Sequence, residues 1–140
     1  MFKFFGIKAK PNADAKAQTA HEIAYGLLLT QLDLGGAFDD EAAKQRLLAP
    51  RGCGYIFGFA DALLQRAGVT DEVAAMAALV VTYVRIFGKE QGPKIFRAAL
   101  DLQTDADFAA GRAQGDNDAL RFLADNAPPL GLTDYLNDRP

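Results

Sequence analysis

Residues 55–88 read YIFGFADALLQRAGVTDEVAAMAALVVTYVRIFG, and this stretch decides the fold class. Ile56, Ala60, Leu63, Leu64 and Ala67 recur at i, i+4, i+7, i+8 and i+11, one face of an α-helix. Gly68 stands where a C-terminal glycine cap belongs. Thr70 then offers an N-cap, and Asp71 and Glu72 suit the positive end of a following helix. That helix carries Val73, Met76, Ala77, Val80, Val84 and Phe87 on one stripe, and Leu79, Tyr83 and Ile86 on a second. A helix apolar on two sides is expected to be central. The short loop predicts an antiparallel helical hairpin, about 55–67 and 71–88, at the heart of the molecule.

The same reading extends outward in both directions. A first helix is expected near 13–34, with Ala20, Ile23, Ala24, Leu27, Leu28 and Leu34 on one face, and Leu29 and Leu32 widening it. Gly35-Gly36 stops it. Asp39, Asp40 and Glu41 open a short helix, about 39–48, that ends before Pro50, and Arg51 to Gly54 reads as a connector. After Gly88, Pro93 opens a helix to about Leu102 with Ile95, Phe96, Ala99 and Leu102 inward. Thr104 or Asp105 caps a short helix containing Phe108. Asp116 or Asp118 precedes another containing Leu120, Phe122 and Leu123. Pro128-Pro129 ends it, and Thr133 to Leu136 reads as a final turn docking Tyr135 and Leu136.

Composition agrees with helices. The 140 residues include 26 Ala against five Val and five Ile, a balance that favours helix over sheet. Half the residues are hydrophobic, enough for one real core. The expectation is an all-α bundle of about six or seven helices in a single domain, 1–140. Residues 1–11 form an N-terminal arm in which Phe2, Phe4, Phe5 and Ile7 mix with Lys3, Lys8 and Lys10. Its aromatics are expected to fold back over a gap in the bundle with the lysines in water; the competing reading is a weak contact with an anionic membrane surface.

Missing residue types narrow the chemistry. The chain has no Ser and no Trp, and a single His and a single Cys. A Ser-based triad, an intrachain disulfide and a tetrahedral Cys/His zinc site are therefore excluded, and no cofactor or metal is implied. Asp116-Asn117-Asp118 opens like a calcium loop, but Arg121 stands at the sixth position and Ala127 at the twelfth, where glycine and glutamate belong. A net charge of −3 and a sequence pI of about 5.0 speak against nucleic acid. Residues 101–140 hold eight Asp and three Arg, an acidic surface or a face for a basic partner. No signal peptide or membrane span is readable, so a cytoplasmic location is the default expectation.

A few residues stand out as site candidates. Gly54, Gly58 and Ala62 recur every four residues, as do Ala74 and Ala78 on the next helix, so backbones can approach closely. The reason is packing within the chain, a dimer seam, or room for a ligand. Asp61, if buried, would be a tuned carboxylate; otherwise it points outward beside Gln65 or pairs with Arg46 or Arg51. Tyr83 is placed beside this face. Weaker candidates are His21, four residues before Tyr25 and a natural proton shuttle, and Cys53 ahead of a helix, a candidate reactive thiol. No catalytic constellation emerges, and the balance is against an enzyme. The expected function is a small non-catalytic helical interaction module that binds a protein partner or self-associates, as in a homodimer. The alternative is an apolar-ligand binder or minor enzyme with a pocket near Gly54, Gly58, Asp61 and Tyr83.

Overall fold

A computed structural model describes residues 11–138, in which all regular structure is helical. The order is α1 (Pro11–Leu34), α2 (Glu41–Leu48), α3 (Pro50–Arg66), α4 (Glu72–Phe87), α5 (Gln91–Asp101), α6 (Ala106–Asp125) and α7 (Gly131–Leu136). The all-α bundle is as expected. Of the N-terminal arm expected over 1–11, residues 1–10 lie outside the described residues, and Pro11 is the first residue of α1.

The starts of α2, α4 and α6 follow from aspartates. Asp40 accepts from the Ala43 N–H, Asp71 from Val73, and Asp105 from both Asp107 and Phe108, so each caps orphan donors of a first turn. Asp71, rather than Thr70, is therefore the cap of α4. Gly68 closes the α3 end with φ of +83°, a left-handed conformation that disfavours a Cβ.

α3 is the centre. Every residue from Gly52 to Ala60 is buried, as are Ala62, Leu63 and Leu64. Its intimate partner is α6 rather than α4. The two helices run parallel and interleave through glycines from both sides. A Cβ on Gly54 would overlap the Phe108 carbonyl, and one on Gly58 the Arg112 carbonyl. Reciprocally, a Cβ on Gly111 would overlap the carbonyl of Arg51, and one on Gly115 that of Tyr55. The four-residue glycine spacing on α3 thus serves packing within the chain.

The remaining helices surround this pair. α1 packs across α3 and α4, and α5 lies against α4. Ala17, Ala74 and Ala78 keep α1 close to α4. Phe57, Tyr83, Phe96 and Phe108 form a chain of ring contacts 5.3–6.4 Å apart that joins α3, α4, α5 and α6. At the far end α7 docks on α2, where Arg46 donates to the Leu136 carbonyl at 2.7 Å and the Tyr135 hydroxyl donates to the Arg46 carbonyl at 2.9 Å.

Four expectations are revised. Residues 51–54 are the first turn of α3, because Pro50 is tolerated at a helix start and initiates rather than blocks it. The two short helices expected after Thr104 are one, since Gly111 and Gly115 continue α6 by packing on α3. Asp116 and Asp118 therefore sit within α6 and do not start a helix of their own. α4 is peripheral: Ala74, Ala78, Leu79, Thr82 and Tyr83 face inward, while Val73, Met76 and Val81 are exposed. On α1, Leu28 and Leu32 are buried, yet Ile23, Leu29 and Leu34 are exposed.

Two alanine substitutions test the glycine contacts. Gly26 lies within α1 with nothing within 4 Å of its would-be Cβ, so Gly26→Ala should stabilise the protein by about 0.5–1 kcal/mol through helix propensity alone. Gly58→Ala gains the same propensity but forces two backbones apart, and should destabilise by about 1–3 kcal/mol. Urea unfolding of both variants reads the difference in sign.

Candidate functional site

Asp61 sits on α3 facing α6. Its Oδ2 accepts from Gln65 Nε2 at 2.8 Å and lies 3.7 Å from Arg112 Nη2. Burial raises its carboxyl above the usual range, and the Arg112 charge opposes that shift. Arg112 in turn donates to Gln103 and lies 4.9 Å over the Phe57 ring. Gly58 and Asp61 share an open cleft of about 470 Å³ with these groups. The carboxylate's partner is thus Arg112, from a helix remote in sequence, instead of Arg46 or Arg51.

Gly54 and Tyr83 do not join that cleft. The space beside Gly54 is taken by the α6 backbone. Tyr83 is fully buried, and its hydroxyl donates to the Cys53 carbonyl at 2.9 Å. Cys53 is buried too, with Sγ 3.6 Å from the Leu47 carbonyl and 3.7 Å from that of Leu48. Burial pushes its thiol up to about 11, so at neutral pH it is not the thiolate that nucleophilic chemistry needs.

His21 and Tyr25 belong to a clamp between α1 and α4. The Thr82 hydroxyl donates to the Ala78 carbonyl at 2.9 Å, so the His21 Nδ1 that lies 2.9 Å from it must be the donor. Arg85 can only donate, so His21 Nε2, 3.0 Å from its Nη1, accepts. Buried His21 is therefore held neutral in one tautomer. Burial lowers its pKa, and Arg85 lowers it further. Arg85 also pairs with Glu22 at 3.1 Å and lies 3.8 Å over the Tyr25 ring. Both ring nitrogens are occupied by protein, which makes His21 a strut of this helix pair.

A second buried polar network joins α1, α3, α6 and α7. Gln31 Nε2 donates to the Tyr55 hydroxyl at 3.0 Å, and that hydroxyl donates to Asp118 Oδ2 at 2.7 Å. Asp118 also accepts from the Gly131 N–H at 3.1 Å, while Gln31 Oε1 accepts from Leu132 at 2.9 Å. The aspartate in mid-α6 and the glutamine in α1 thus satisfy the opening donors of α7. Burial holds the Tyr55 phenol protonated well above its ordinary range.

These constellations are internally satisfied; the open surface lies elsewhere. α1 and the C-terminal half of α6 both rest on α3, yet they hardly touch each other. Between them runs an apolar groove in two adjoining stretches of about 120 and 280 Å³. Ala20, Ile23, Leu27 and Leu34 of α1 form one wall; Phe122 and Leu123 of α6, then Leu130, form the other. Leu63 and Ala67 of α3 lie at the first stretch, with Arg66 at its edge. Ile23 is 42% exposed, Leu123 and Leu130 46%, and Leu34 59%. The helical periodicity of the sequence puts Ile23, Leu27 and Leu34 on one apolar face of α1 with the buried Leu28. The signal for a groove is the breadth of the α1 apolar arc, wider than its neighbours α3 and α4 cover.

Among the described residues there is no cluster of three or more His, Cys, Asp or Glu placed to hold a metal ion. No described helix is long and apolar enough to cross a membrane. No protein-family model matches the chain, and searches of curated proteins and of solved structures find no match to it.

The polar struts yield two predictions. Because the folded pKa of His21 is depressed, the unfolded chain binds its proton first as pH falls through about 6.5. The contribution of neutral His21 is fully present above that pH and is lost below it. Urea unfolding at pH 7.5 and pH 5 should show a steeper loss for wild type than for His21→Gln. Tyr55→Phe removes the donor to Asp118 and the acceptor for Gln31, and should cost about 1–3 kcal/mol in the same assay at pH 7.5.

Proposed function

We propose that the protein is a small helical interaction module whose binding surface is the α1/α6 groove. The observation that carries this reading is a pair of apolar pockets between the same two helices, where four large side chains, Ile23, Leu34, Leu123 and Leu130, stay roughly half exposed. A contiguous apolar strip rimmed by polar residues is the surface that protein segments recognise. Its form, a trough between two helices, suits a short apolar segment laid lengthwise. Covering the exposed half of each of those side chains contributes about 1 kcal/mol, enough for a few anchors to hold a peptide.

The residues lining the groove include one charged side chain, Arg66, and no carboxylate, so apolar contact rather than charge sets the preference. The Asp61 cleft supports a ligand-binding reading less well, because Asp61, Gln65, Gln103 and Arg112 already bond one another.

Selection of a displayed library of 12-residue peptides against the immobilised protein tests the groove. Apolar peptides should be enriched. Leu123→Glu should weaken their binding at least ten-fold, whereas Val73→Glu, at a 77% exposed site on α4, should leave it unchanged. Circular dichroism should show both variants folded, since both side chains face solvent. Enriched peptides indifferent to Leu123→Glu would remove the groove as the binding surface.

A further inference from the structure

We infer that the α1/α6 groove is the docking site of the chain's own N-terminal segment, Phe2 to Ile7, bound within the same molecule. The inference rests on the groove being the binding surface and names its resident occupant. Three observations carry it.

The first is composition. Phe2, Phe4, Phe5 and Ile7 are four large apolar side chains within six residues, accompanied by Lys3, Lys8 and Lys10 and by no acidic residue. Large apolar side chains are what an apolar trough selects. The second is position. α1 begins at Pro11, and α1 itself is the groove's first wall, so the segment is tethered to the surface it would occupy.

The third is reach. Ala20, at one end of the groove, lies nine residues into α1, about 13.5 Å along the axis from Pro11. Reversing direction at Pro11 takes up the roughly 13 Å of chain to Ile7, and the five residues from Ile7 to Phe2 then add about 16 Å, which ends between the axial levels of Ala20 and Ile23. The apolar part of the segment therefore reaches the first stretch of the groove. Tethering also supplies a high effective concentration, which lets a modest apolar contact fill the groove without any partner. An external segment must then displace it.

A nitroxide label tests this on the full chain. Lys3→Cys introduces a reactive thiol, while buried Cys53 stays unlabelled at neutral pH. In ¹⁵N-labelled protein, the amide signals of Ile23, Leu27 and Leu123 should lose several-fold in intensity, with those of Val73 and Met76 unchanged. Adding Phe4→Glu and Phe5→Glu to the labelled chain should restore the groove signals. Mixing spin-labelled ¹⁴N protein with unlabelled ¹⁵N protein should cause no loss, and phosphatidylglycerol vesicles should not reverse the loss. Groove signals that keep full intensity, a loss centred elsewhere, a loss seen only in the mixture (the arm of a second copy), or release of the arm onto the vesicles would each overturn the inference. Peptide binding that depends on Leu123 alongside untouched groove signals would overturn self-docking alone and leave the groove standing as the binding surface.

Discussion

Two helices bring their backbones into direct contact only where neither presents a Cβ, and α3 and α6 meet this condition from both sides. Gly54 and Gly58 receive the α6 carbonyls of Phe108 and Arg112, and Gly111 and Gly115 receive those of Arg51 and Tyr55. Glycine within a helix costs about 1 kcal/mol relative to alanine, so four of them oppose helix formation by about 4 kcal/mol. The return is close backbone packing, with dispersion and weak Cα–H contacts to carbonyls along the crossing. It also fixes the register: a shift of one residue along either helix would drive a side chain into a carbonyl.

Much of the architecture follows from that contact. With α6 seated so deeply, one face of α3 is saturated, and α4 is left to pack against α1 and α5 on the far side. α1 crosses α3 beside α6 without reaching it, which opens the apolar trough. One end of the trough is held by the Gln31–Tyr55–Asp118 network, whose hydrogen bonds fix α1, α3, α6 and α7 relative to one another. A surface framed by rigid helices and a satisfied polar network is preorganised. A binding segment does not have to spend its contacts on ordering the receptor.

The helices were legible in the sequence wherever periodicity and punctuation agreed. Ile56 to Leu64, Gly68 and Gly88 mark their elements because core burial and chain termination leave local patterns. The glycines at 111 and 115 were not readable in the same way. Locally a glycine reads as a helix breaker, and only a partner remote in sequence turns it into a contact point. The same holds for the chemistry. Asp61 finds Arg112, and His21 finds Thr82 and Arg85, across separations no local pattern encodes. The groove was hidden for the opposite reason. Ile23 and Leu34 carry the periodicity of core residues, and hydrophobic spacing cannot distinguish a face that the domain covers from one it leaves for something else.

The parallel pairing of α3 with α6 also has a temporal side. Parallel helices cannot be joined by a tight turn, so the chain must make α4 and α5 before α6 is available. During synthesis, α3 therefore emerges with its glycine face unfilled and its aromatic residues lacking a lid. α1 and α4 can cover part of it, but the central crossing closes only when a long intervening loop has been brought round, an entropic cost incurred before any contact offsets it. Rapid local pairing of α4 with α5 shortens that search by compacting the loop. The rate at which the domain matures should depend more on this peripheral pair than their modest share of the core suggests.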